Sequence, residues 1–275
     1  MRNVDPATVA GFGDEWSRFD QSSLDPVERQ VQFDEYFSLF PWASLSDNAA
    51  GFDAGCGTGR WAALVAPRVG RLHCIDASPD ALAVARRNLH DLDNVDLAVA
   101  SVQDLPFADG SMDFGYSIGV LHHVPDTAAA LAACVRKLKP GAPLLVYLYY
   151  AFDNRPAWFR VLWFAANGVR QVVSRLPNWA RYAASQVIAA VLYWPLARTA
   201  RLLERLHLRA ANFPLYAYRQ RSFYSMRTDA LDKFGTRLER RFTRPQIEAM
   251  MIAAGLTRIA FREGTPYWCA IGYCV

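Results

Sequence analysis

The chain is poor in the features that would staple or anchor it. Its 275 residues include five cysteines, Cys56, Cys74, Cys134, Cys269 and Cys274, with neither a C-x-x-C pair nor a metal-ligand spacing. That argues against a zinc site or a disulfide framework and for reduced, mostly buried thiols in a cytoplasmic protein. Residues 1–20 have no apolar core and carry Asp5, Asp14 and Glu15, so no signal peptide is expected. No internal repeat is visible, which sets solenoids aside. A spanning helix needs roughly 20 apolar residues. The uncharged stretch YAASQVIAAVLYWPLA at 182–197 has only 16 and includes Gln186 and Pro195. Lysine is nearly missing from 151–242, which holds 15 arginines and one lysine against five acids. That segment is +11 and the remaining residues −7, an asymmetry that suits an anionic partner. What is present, 52% hydrophobic and 20% charged residues, makes one globular core with an appended subdomain.

The stretch around which the rest is organised is GFDAGCGTGRW at 51–61. An apolar approach ends at Asp53, and Gly55, Gly57 and Gly59 then alternate with small residues. Glycines in such a run let the backbone approach a ligand that a Cβ would block. A helix expected over 58–66 would aim its first amides at the same place. Two nucleotide-type fingerprints compete here. Gly57, Gly59 and Ala62 give a degenerate G-x-G-x-x-G/A, as in NAD(P) dehydrogenases. Asp53, Gly55, Gly57 and Gly59 match in full the D-x-G-x-G-x-G loop of S-adenosylmethionine (SAM) methyltransferases. The loop alone leaves both open.

Residues 1–48 form an aromatic, polar segment with FGDEWSRFD at 12–20 and a helix expected over 25–40, where Asp25-Pro26 gives a cap and a proline start. Trp16, Arg18 and Phe19 are candidates for a lid over the glycine loop. From residue 49 short apolar runs alternate with helices. Strands are expected at 49–53, 72–75, 95–99, 112–117 and 144–149, with helices at 79–89 and 127–138. Ligands in such sheets bind outside the carboxyl ends of the strands. The rhythm breaks over 150–242 and resumes with a helix at 246–254 and strands at 256–261 and 267–274. The five residues between these last strands cannot hold a crossover helix, so they form a hairpin and one runs antiparallel.

Five strands of this kind closed by a hairpin resemble the class I SAM-dependent methyltransferases. The motifs agree: DAGCGTG at 53–59, Asp76 ending the second strand, QDLPFADGSMDF at 103–114, YSIGVLHHVPD at 116–126 and LKPGAPLLVYLY at 138–149. The FG-x-x-W-x-x-F opening at 12–19 resembles that of bacterial methyltransferases linked to polysaccharide or secondary-metabolite pathways. The resemblance covers 49–149 and 243–275 well and 150–242 poorly. It implies an α/β, Rossmann-like, seven-stranded and mostly parallel sheet, with a C-terminal antiparallel hairpin strand and a large helical insertion after strand five. The division expected is a lid segment at 1–48, the cofactor-binding core at 49–149, an acceptor lid at 150–242 and a completing helix and hairpin at 243–275. The implied cofactor is SAM, held by Asp53, Gly55, Cys56, Gly57, Gly59, Asp76, Ala77, Ser101, Val102, Gln103 and Ser117, with Asp76 on the ribose hydroxyls. Ser101 departs from the family, which has an aspartate there to accept from the adenine amino group; a serine oxygen accepts more weakly.

Methyl transfer from a sulfonium is an in-line displacement in which the enzyme aligns groups and excludes water. A base is needed only where the acceptor must lose a proton. His122 and His123 follow strand four, and if that segment is extended at most one faces the acceptor, His122 being preferred. Trp16, Arg18 and Tyr149 are assigned to the acceptor or lid side, and no metal is expected. The acceptor is read as a small or lipid-linked molecule, with O-methylation preferred to N-methylation. Two readings of 156–212 stay open: a buried helical cap with a basic solvent face, and a peripheral contact with the inner membrane face through arginines and boundary tryptophans. A nucleic-acid acceptor is not expected, since the arginines are dispersed among large apolar residues. The competing classes are an NAD(P) oxidoreductase and a non-catalytic membrane-surface protein with a vestigial SAM fold.

Overall fold

The computed structural model describes residues 3–208, 212–265 and 267–275. Contacts divide the chain into two units: Met1–Gln21, Val31–Ala151 and Leu238–Val275 form one, and Ser22–Gln30 with Phe152–Arg237 the other. In chain order the elements are α1 (Pro6–Arg18), α2 (Pro26–Tyr36), β1 (Ala50–Ala54), α3 (Ala62–Val65), β2 (Arg71–Asp76), α4 (Pro79–Asn88), β3 (Val95–Val99), β4 (Phe114–Ile118), α5 (Thr127–Lys137) and β5 (Pro143–Tyr147). There follow α6 (Ala157–Val173), α7 (Asn178–Ile188), α8 (Trp194–Arg205), α9 (Phe223–Gly235), α10 (Arg244–Ala253), β6 (Leu256–Phe261) and β7 (Cys269–Cys274).

In the first unit the sheet order is β3-β2-β1-β4-β5-β7-β6. The first five strands are parallel, and β7 is antiparallel to both β5 and β6. The hairpin therefore folds as expected, and its antiparallel member is β7, inserted between β5 and β6. Because successive side chains point to opposite faces, each strand feeds two cores. Along β5, Leu144 and Val146 enter one, with Phe52, Leu131 and Met251, while Leu145 enters the other, with Phe33, Leu72 and Phe114.

One stretch differs from the sequence reading. Residues 12–18 belong to α1, a separate helix that the sequence reading did not delimit, while the helix expected at 25–40 is present as α2. Asp5 caps α1, accepting from the Thr8 amide at 2.7 Å, and Pro6 takes the first helical position, where no N–H is needed. That signal outweighs Gly11 and Gly13. Gly13 instead marks where α1 lies closest to α4, since a Cβ there would stand 2.8 Å from Ser78 Oγ.

The second unit has its own small core, built from Val173, Ala189, Tyr193, Ala197, Met226, Ala230 and Phe234. A π-helical turn, Ala189–Tyr193, joins α7 to α8 without a break. Pro195 has no N–H to give the preceding turn, and a widened turn is the usual accommodation. Tyr193 donates to Asp229 at 2.9 Å, and Glu28 accepts from the Ser225 hydroxyl at 2.6 Å.

Candidate functional site

A cleft of about 900 Å³, its open mouth included, lies at the carboxyl ends of the strands in the first unit. Residues 55–58 after β1, 76–78 at the end of β2, 101–102 after β3 and 118–120 after β4 line one side, and α1 lines the other with Thr8, Val9, Phe12 and Trp16. β1 and β4 are neighbours between which the strand order reverses, the place where open α/β sheets bind ligands.

The glycine loop is shaped by what presses on it. Gly55 has φ +90°, and a Cβ there would meet the Val120 side chain at 2.4 Å. Gly57 has φ +53°, and its Cβ would stand 3.2 Å from Trp16 Nε1. The amides of Gly55 and Cys56 both donate to Ile75 O, at 2.7 and 2.9 Å, which folds the loop over the end of β2. The expected helix over 58–66 is shorter: turns occupy 58–61 and α3 has four residues. Positive φ at three alternating positions delays helical geometry, so no long helix begins at the loop. The Gly57 amide donates instead to Asp76 Oδ2 at 2.9 Å.

Two carboxyls sit beside this loop, Asp76 half-buried at the cleft and Asp53 buried behind it. Asp76 accepts from Gly57 N and, through Oδ1, from Ser78 N at 2.8 Å. Each oxygen keeps a second lone pair, so the side chain can accept two further donors in the cleft. Burial raises its pKa above the usual aspartate value, against the pull of the Ser78, Gly57 and Ala77 amides. Asp53 is 1% exposed and outside the lining. Burial also raises it well above the ordinary value; the Tyr116 hydroxyl beside it offsets part of this and the Asp76 charge adds to it. Asp53 Oδ2 makes no well-formed hydrogen bond among the described residues.

Among the other candidates, Cys56, Ala77, Ser101, Val102, His123 and Trp16 reach the cleft wall. The Cys56 thiol is pushed up by its contact with Cys74 and by burial, so it is a packing group rather than a nucleophile. Ser101 accepts from the Gln103 amide at 3.0 Å. Gly59, Gln103, Ser117, His122, Arg18 and Tyr149 are not in the lining. Gln103 accepts from Asn3 Nδ2 at 3.3 Å, Ser117 donates to Ala54 O at 2.7 Å to tie β4 to β1, and Arg18 pairs with Asp14 one turn earlier at 3.0 Å. Trp16 and not Arg18 therefore has a place in the wall.

The histidine pair is arranged differently from the extended segment assumed. Leu121–His123 is a turn of 3₁₀ helix, and the two rings lie side by side with centroids 4.1 Å apart. His122 is fully buried and stacked on Tyr149 at 3.7 Å, with Arg241 5.1 Å above the Tyr149 ring. Of the two, His123 and not the preferred His122 lines the cleft. Its Nδ1 lies 2.7 Å from Leu238 O, and a carbonyl only accepts, so Nδ1 carries the proton. In the neutral ring Nε2 is then the basic atom.

Sequence reasoning named Trp16 but missed its neighbours in the amino-terminal wall. Thr8, Phe12 and Trp16 recur every four residues along α1, and that spacing, with the Asp5-Pro6 start, was the available signal. Thr8 is 4% exposed, lines the cleft, and its Oγ1 makes no hydrogen bond among the described residues.

A glycine-floored cleft, a strand-end aspartate with lone pairs to spare and a sheet of this order define a Rossmann-like enzyme that binds an adenosine-type cofactor. The sequence profile of a family described as a methyltransferase domain matches residues 52–146. A ubiquinone biosynthesis O-methyltransferase of Xanthomonas oryzae pv. oryzae is 32% identical over 60% of this chain and 74% of its own length. The protein of that name from Thiobacillus denitrificans is 32% identical over 65% of this chain and 75% of its own. The fold is shared with the YcgJ protein of Bacillus subtilis (TM-score 0.52, 16% identity, 83% of this chain and 70% of that one). A putative methyltransferase of Bacillus halodurans is also similar (TM-score 0.51, 16% identity, 84% and 71%). The chain belongs to the class I SAM-dependent methyltransferases, its cofactor is SAM, and the NAD(P) reading falls with the antiparallel β7. The unsatisfied Asp53 oxygen, the spare lone pairs of Asp76 and the glycine cradle fit that cofactor, which brings hydroxyl and ammonium donors.

Proposed function

We propose that the protein transfers the methyl group of SAM to the hydroxyl of a small, largely apolar acceptor such as a phenol, free or lipid-linked. The observation that carries this is His123, in the cleft wall with Nδ1 held by Leu238 O at 2.7 Å. A phenol must lose a proton to attack, and a neutral imidazole with a fixed tautomer is a base suited to neutral pH. SAM supplies an activated methyl on a sulfonium. The rest falls to the chain. Asp76 accepts from the ribose hydroxyls, Asp53 takes the charge of the amino group directly or through water, and Ala77, Ser101 and Val102 lie against the adenosine. Val9, Phe12, Trp16 and Val120 give the apolar wall that keeps water from the reacting atoms. The names of the relatives support an oxygen nucleophile. From its place in the chain, acceptor turnover is proposed to depend on the insertion at 150–242. The free cysteines and the basic insertion support a cytoplasmic protein working at the inner membrane face.

The test is turnover of a phenol series by His123→Asn, whose amide keeps a donor for Leu238 O but removes the base. S-adenosylhomocysteine affinity should be unchanged and kcat lower by about 10²–10⁴. Equal turnover by the variant would end the base assignment, and turnover of amines alone would shift the reading to N-methylation.

A further inference from the structure

Of twenty large hydrophobic side chains exposed among the described residues, fourteen fall between Trp158 and Leu208. They are ordered along helix faces. On α6 the exposed positions Trp158, Val161, Leu162, Ala165, Gly168, Val169 and Val172 fall at spacings of three and four, one stripe over a helix about 25 Å long. Its carboxyl-terminal end feeds the small core through Val173, Ala166 packs against that core, and the helix contacts α9. Along α7 and α8 a second exposed series runs Trp179, Ala183, Val187, Val191, Trp194 and Leu202. Soluble surfaces scatter such residues singly, and ordered runs of them mark a surface that is covered in use.

The charge around these faces identifies what covers them. No acid occurs from residue 154 to 203, a stretch of 50 residues with seven arginines. Some of these serve the unit itself: Arg170 donates to Thr236 O and Arg237 O at 2.9 Å, and Arg198 to Arg219 O and Arg221 O. Others face solvent. Arg160, Arg201 and Arg205 are exposed and have no acidic partner among the described residues. Apolar stripes with three exposed tryptophans, arginines at their margins and no carboxylate before Glu204 have the composition of interfacial helices. Among the described residues no helix is long and apolar enough to cross a bilayer, so these would lie on one. Nucleic acid suits the pattern less, since the exposed groups between the arginines are mainly aliphatic.

We propose that the exposed faces of α6 and of α7–α8 bind the surface of an anionic lipid bilayer, independently of which acceptor is methylated. The apolar stripe enters the headgroup boundary while Arg160, Arg201 and Arg205 engage lipid phosphates.

The experiment is sedimentation of the full chain with vesicles of phosphatidylcholine alone and of phosphatidylcholine mixed with phosphatidylglycerol. The wild type should bind the mixed vesicles roughly tenfold or more tightly than the neutral ones, and less so in high salt. Val161→Glu with Val169→Glu alters only exposed α6 positions and should lower binding to both vesicles by about tenfold or more. Arg201→Glu with Arg205→Glu should abolish only the preference for the anionic lipid. S-adenosylhomocysteine titration and size-exclusion chromatography accompany each variant. Loss of nucleoside binding in the wild type would count against the cofactor reading and leave the lipid result standing. The proposal is overturned if the wild type binds vesicles no better than Val161→Glu/Val169→Glu. It is equally overturned if the wild type ignores vesicles and forms a dimer that this variant dissolves, which would assign the face to a second copy.

Discussion

Replacing Asp76 by asparagine separates binding from stability. In the free protein Asp76 accepts two backbone amides, Gly57 N at 2.9 Å and Ser78 N at 2.8 Å, and burial still holds its pKa above the ordinary value. Removing the charge therefore relieves a desolvation cost. It also leaves one of the two amides facing an NH₂ group, at about 1–3 kcal/mol for a buried unsatisfied donor. These oppose each other, so the apo protein should change in stability by only about 1 kcal/mol either way, or a few degrees in Tm. Binding has no such compensation. A ribose hydroxyl bonded to a carboxylate contributes about 1.5–3 kcal/mol, and the amide offers one weaker acceptor. The expected loss of S-adenosylhomocysteine affinity is roughly ten- to a hundredfold at 1.4 kcal/mol per decade. Calorimetry on the purified variant, beside a thermal melt without ligand, reads both numbers. Affinity within about twofold of wild type in a protein melting normally would remove Asp76 from the ribose site. A collapse in Tm with unaltered affinity would make it purely a loop anchor.

Two further outcomes follow from the same geometry. Gly55→Ala meets both a φ of +90° and Val120 at 2.4 Å, whereas Gly141→Ala meets a φ of +79° with no atom within 4 Å. Backbone strain of about 1–2 kcal/mol is common to both, and overpacking of about 1–3 kcal/mol is added only at Gly55, so equal losses in a denaturant titration would refute the Val120 constraint. The pH dependence of cofactor binding has a definite sign. Asp53 and Asp76 are raised above 3.8 in the free protein, and donors in the cofactor favour their charged forms. Affinity for S-adenosylhomocysteine should be full above the raised values and fall as pH drops through them, with protons released on binding in that range; affinity constant down to about pH 4 would refute it.

What the sequence disclosed and what it hid divide by how far apart in the chain the contacts lie. The cofactor floor is built from strand-end turns, each a run of a few residues. Asp53, the glycines and Asp76 were legible because glycine at positive φ and a carboxylate at a strand end are local necessities. The hairpin was legible for the same reason: five intervening residues admit no crossover. The loop's helix was overextended because residue types favourable to a helix say nothing of the three positive φ values before it. On the opposite wall Trp16 was named but Thr8 and Phe12 were not, because their spacing marks a helix face without telling that it meets a cleft formed 50 to 110 residues later.

The histidines make the point most sharply, because here a local rule assumed an extended segment where the chain forms a 3₁₀ turn. Alternation along an extended chain would place His122 and His123 on opposite sides, and the preference between them then had nothing to rest on. The 3₁₀ turn places both rings together, and the choice is made elsewhere. His122 is sealed by Tyr149, while His123 receives its tautomer from Leu238 O, 115 residues away. Arg240 N also donates to His122 O at 2.9 Å, so residues 238–240 and the histidine turn hold one another in register. The tautomer of the proposed base is thus specified by a backbone carbonyl, which carries no side-chain signature. Substitutions at Leu238 itself should be tolerated for chemistry so long as that segment keeps its course. A displacement of the segment should cost activity without touching any residue of the cleft wall.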